Sequence, residues 1–209
     1  MSLLRVTFST FDRLRFGATD RRSLASAAYP MGFAANASER LSLRNGVSMS
    51  NSNQPQFDES HAHRWFAVEA NNLSWDLVER ADRNDADTEK MLHAAHAAWF
   101  HWDAVGTALN RLRAEVLLAT TYHAAGRAGP AVWHAERAIT ALADAGASAT
   151  AFDRVSANAA AAAAFAAVSQ SGVAAARLSE ARSAAARLDN ADDRAVAERF
   201  YPAIRADVD

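Results

Sequence analysis

In residues 117–139, LLATTYHAAGRAGPAVWHAERAI, small side chains recur every three or four positions between large ones, and the pattern returns 43 residues later. The first set is Ala119, Tyr122, Gly126, Ala131, Ala135 and Ala138; the second is Ala162, Phe165, Ala174, Leu178 and Ala181. This spacing puts the small residues on one helix face. A one-carbon side chain, or none, lets the backbones of two helices approach closely. A repeated unit of this kind cannot bury its own face alone, whereas successive units stacked together can. The chain is thereby restricted to helices packed on helices.

Helix punctuation divides the chain from Phe57 onward into about seven segments. The first, at about 60–82, follows the possible caps Asp58 and Ser60 and carries Trp65, Phe66, Val68, Leu73, Trp75 and Leu77. A second, at about 88–104, is capped by Asp85 or Asp87. Gly106-Thr107 opens the third, Gly126 stops it in a left-handed turn, and Pro130 fits the first turn of the fourth. Gly146 closes the fourth, Thr150 with Asp153 forms a capping box for the fifth, and Gly172 separates fifth from sixth. Asn190 and Asp192 precede a terminal capping helix that Pro202 bends or ends. Short connections make neighbouring helices antiparallel hairpins. The fold class expected is all-α.

The small-and-aromatic spacing resembles the tetratricopeptide repeat, in which small residues admit a neighbouring helix and an aromatic fills the wedge between them. The offset exceeds the family's usual length of about 34 residues, and longer helices absorb the difference. The first-helix Trp, the Leu-Gly pair and the closing Pro are missing. Asn71-Asn72-Leu73-Ser74-Trp75, Ala95-His96-Ala97-Ala98-Trp99-Phe100-His101-Trp102 and Thr121-Tyr122-His123-Ala124-Ala125-Gly126-Arg127 also resemble a progression in uncharacterised bacterial proteins. The resemblance implies a TPR-like α-solenoid over residues 57–209 whose first helices line a concave face. Carried onto this chain, that puts Arg113, Val116, Thr120 and His123 of the third helix inward, with Glu69 and Asp76 of the first. The function implied is a noncatalytic scaffold or adaptor for a protein or peptide with a charged segment.

Charge is distributed unevenly. Residues 1–48 carry seven Arg and three acids, and the remainder fifteen basic residues and twenty-one acids, so a basic tail precedes an acidic body. Such a body argues against a nucleic-acid-binding face, which needs clustered Lys and Arg to displace counterions. Residues 1–56 lack a sustained period and read as a disordered tail, an Arg/Ser-rich targeting segment, or an over-extended reading frame with its true start at Met49. The absence of cysteine removes thiolate chemistry and disulfides and accords with a cytoplasmic home. No apolar run is long enough for a membrane span. Self-association through the alanine-rich stretch 157–167 is a further option, and no cofactor is implied.

Two catalytic alternatives rest on histidine spacing. Glu89, His93 and His96 share one helix face, and Glu69 or Asp76 from the preceding helix would complete a metal-binding helical enzyme. Arg127 and His134 resemble the Arg-x(4–6)-His signature of HEPN-type ribonucleases, although Gly129-Pro130 is expected to begin a new helix between them. His101 is expected to donate to a helix carbonyl, and Trp99 and Trp102 to act as core or stacking residues. No nucleophile elbow, P-loop or dinucleotide fingerprint is present.

Overall fold

The structure, a computed structural model, describes residues 58–205. The expectations for the tail and for a start at Met49 fall outside these residues. The helices are α1 Glu59–Val78, α2 Asp85–Val105, α3 Ala108–Ala124, α4 Ala128–Ala145, α5 Ala151–Ala167, α6 Ser171–Ala185 and α7 Ala191–Phe200, with short 3-10 turns at Gly146–Ser148 and Pro202–Ile204. Among the described residues there is no strand, and no helix there is long and apolar enough to cross a membrane.

Local chemistry sets the helix boundaries. Asp58 accepts from the His61 N–H at 3.0 Å and caps α1. The cap of α2 is Asn84, bonded to the Asp87 N–H at 2.8 Å. The two aspartates expected as caps lie inside the first turn instead, where their charge faces the positive end of the helix dipole. Thr107 with Asn110 and Thr150 with Asp153 form reciprocal capping boxes on α3 and α5. Gly126 ends α3 with φ 69°, and no atom lies near enough to obstruct a side chain there. Its role is therefore left-handed backbone rather than close helix approach. Gly106 is the opposite case, because an added Cβ would lie 2.4 Å from the Trp102 carbonyl oxygen. Gly172 lies within the first turn of α6, and the break before it is made by Ser169 at φ 61°.

Helices pack most extensively within the pairs α1–α2, α3–α4 and α5–α6, and the contacts α2–α3 and α4–α5 join those pairs. In addition α1 touches α3, α3 touches α5, and α5 touches α7, so the odd-numbered helices form a row of their own. Ala119, Ala131, Ala135, Ala138 and Ala181 are wholly buried in the main core cluster, with Val155, Ala161 and Ala164 of α5 between them. The expectation that small residues admit neighbouring helices holds for these alanines.

Candidate functional site

The most elaborate polar arrangement joins α2, α3 and α4 around Glu115, which is only 3% exposed. Its carboxylate accepts from Trp99 Nε1–H at 2.8 Å, Arg137 Nε–H at 2.7 Å and His134 Nδ1 at 2.8 Å. Burial alone would raise the Glu115 carboxyl, but the hydrogen bonds from His134, Arg137 and Trp99, with the Arg137 charge, hold it below its ordinary value. The group is therefore an ionised, acceptor-only carboxylate, and His134 must carry its proton on Nδ1. Tyr122 stacks on the His134 ring at 5.4 Å and 9°, and its hydroxyl lies 2.7 Å from His96 Nε2. Burial lowers the His96 pKa, as do the nearby His134 and His93. Arg137 also lies over the Trp133 ring at 4.7 Å.

Beside this cluster is an open cleft of about 360 Å³ whose walls include Trp99, Asp103, Arg111, Arg137 and Asp144. Glu115 and His134 have the geometry of a carboxylate orienting an imidazole, but the ring's flat face is covered by Tyr122 and each Glu115 oxygen already accepts a bond. What the arrangement does is tie three helices together.

The metal alternative is not assembled. Glu89 pairs with Arg127, His96 with Tyr122, and His93, Glu69 and Asp76 are exposed. No group of three or more His, Cys, Asp or Glu among the described residues could hold a metal ion. The ribonuclease-like pair diverges too: Arg127, the residue before α4, is drawn to Glu89, while His134 points into the Glu115 cluster. The helix itself begins at Ala128, ahead of Gly129-Pro130.

Of the residues expected on a concave face, Arg113 is engaged with α5. Its guanidinium meets Asp153 through Nε at 2.8 Å and Nη2 at 3.2 Å. Asp153 is 2% exposed; burial would raise its carboxyl, but Arg113 and Thr150 hold it below the ordinary range. Val116 is buried in the core and offers no surface. Arg113 thus packs α3 on α5, while Val116 lies in the core. Glu69, Asp76 and His123 remain exposed.

Thr120 occupies a different setting. Its hydroxyl donates to the Val116 carbonyl at 2.9 Å, which leaves Oγ1 to accept from the Tyr201 hydroxyl at 3.3 Å. Burial pushes the Tyr201 phenol up to about 12. One residue earlier, Phe200 meets Trp75 of α1 edge-on at 4.7 Å, and Arg199 Nη2 donates to Glu79 Oε2 at 2.8 Å. The segment 199–201 thus touches α1 and α3, and α7 before it touches α5. The chain matches no family model, no curated protein and no solved structure.

Aromatic surface lies at the other end of α1. Trp65, Phe66 and Phe100 are 45%, 49% and 61% exposed. His101 stacks on Phe66 at 5.5 Å and places its Nδ1 3.0 Å from His63 Nδ1, not on a helix carbonyl as expected. Burial lowers the His101 pKa, with a second contribution from His63. Glu115 carries a signal in the sequence: Leu112, Glu115, Ala119 and Tyr122 share one helical stripe, which sets a charge on an otherwise apolar face. The Phe200–Trp75 contact had none, since the two residues are 125 positions apart.

Proposed function

We propose that the protein is a noncatalytic binding module, a TPR-like stack of helix pairs whose row of α1, α3 and α5 receives a segment of a protein or peptide partner. One observation carries this reading: the row already holds a segment of chain, with Arg199, Phe200 and Tyr201 lodged against Glu79, Trp75 and Thr120. The alternation of paired and row contacts supports the repeat character. Glu69 and Asp76, two helical turns apart on α1, extend the acidic side of the row, and Asp76 is close enough to Glu79 to raise its pKa. A basic peptide segment is the complementary ligand.

Selection of a displayed random peptide library on the full chain tests the reading. Selected peptides are expected to be rich in Arg or Lys, and to lose at least tenfold in affinity when Glu69 and Asp76 are both changed to Lys. Peptides that bind this variant unchanged would remove the row from consideration.

A further inference from the structure

We infer that the face of α1 and α3 recognises a segment in which an arginine is followed by two aromatic residues, and that Arg199-Phe200-Tyr201 is its built-in competitor. This rests on the binding reading above and names both the ligand class and its regulation. Three complementary features define the seat. The Trp75 indole takes an aromatic edge, the Glu79 carboxylate takes a guanidinium, and Thr120 Oγ1, its own proton committed to Val116, takes a phenol O–H.

The internal occupant fits this seat incompletely. Arg199 reaches only Oε2 of Glu79 while its side chain stays half exposed, and Glu79 Oε1 is buried with no hydrogen-bond partner among the described residues. A guanidinium docked through two nitrogens would satisfy both oxygens. An outside arginine free of the constraint of α7 has that option. Burial has already pushed the Glu79 carboxyl up, with Arg199 opposing and Asp76 adding to the shift, as expected of a carboxylate with too few donors.

The occupant is also built as a strap. The ten residues of α7 bury only Ala197 within the helix, and a helix of that length is marginal by itself. Its further anchors lie beyond the helix end, in buried Tyr201 and Ile204 and in the bonds from Arg182 to the Ala203 and Arg205 carbonyls. A short tether gives such a strap an effective concentration of order millimolar. An outside segment must exceed that threshold to enter.

The probe is a labelled synthetic peptide with the sequence of residues 191–205, titrated against the full chain by fluorescence anisotropy. Arg199→Ser with Phe200→Ala in the chain removes the two edge contacts and leaves Tyr201 and Ile204 in place. This variant is expected to bind the peptide at least tenfold more tightly than the wild-type chain. Arg199→Ser alone, at a half-exposed position, should give a smaller gain of the same sign. Adding Glu79→Arg to the double variant should abolish binding, and a peptide carrying Glu in place of its arginine equivalent to Arg199 should restore it. Equal affinity for wild type and both variants overturns the competitor and leaves the binding reading intact. No binding to any form overturns recognition of this segment, and the library selection on Glu69 and Asp76 then decides the broader reading separately.

Discussion

Glu115 shows how one charge organises three helices. Its three donors come from α2 and α4, so removing the carboxylate strands an indole N–H, an imidazole and a guanidinium together. Glu115→Ala is expected to cost about 3–5 kcal/mol, the range for breaking a buried ionic group, whereas His93→Ala at an exposed site should fall within about 0.5 kcal/mol. Urea unfolding of both variants checks this, and equal effects would refute the structural role. A second residue-scale prediction concerns pH. Folding lowers the pKa of His96 and His101 from the ordinary 6.5, chiefly through burial. The unfolded chain therefore binds their protons more readily, and their contribution is fully present above about 6.5 and lost as pH falls through the folded values. The urea midpoint should drop between pH 7.5 and 5.5; a midpoint that rises or stays level contradicts it. Glu115 was legible in outline, as a charge in an apolar stripe. Its partners were not, because spacing within one helix does not say which residues of the next helix lie opposite.

At the scale of elements, caps and small residues were the readable features. The opening at Gly106-Thr107, the capping box at Thr150 and the stop at Gly126 depend on neighbours within a few residues, which a sequence displays directly. The break before α6 was misplaced at Gly172, because Ser169 adopts the left-handed conformation without being glycine. A Cβ in that conformation costs about 1–2 kcal/mol. Ser169→Gly should recover about 1 kcal/mol of it, read as a higher thermal midpoint. Ala131 faces the opposite constraint, being wholly buried between helices. Ala131→Leu should destabilise by about 1–3 kcal/mol through overpacking, and an unchanged denaturation curve would show that the helices have room to spare.

For the whole molecule, the telling feature is that a row of alternate helices is crossed by the chain's own terminal segment. Phe200 and Arg199 meet the C-terminal end of α1 while Tyr201 meets α3, so this segment links α7 to α1. Phe200→Ala should therefore expose Trp75 and red-shift its fluorescence, at a stability cost of no more than about 3–5 kcal/mol; an unchanged emission spectrum would deny the contact. The sequence by itself determined that the chain is helical, where most helices begin and end, and which alanines lie between them. Those properties depend on local hydrogen bonding and a 3.6-residue period. Only the tertiary structure decided that Arg113 belongs to the α3–α5 contact, that Val116 lies in the core, that Glu89 answers Arg127, and that residues 199–201 occupy the row. These depend on which faces meet across gaps of dozens of residues, and helical periodicity carries no information about the identity of the partner face.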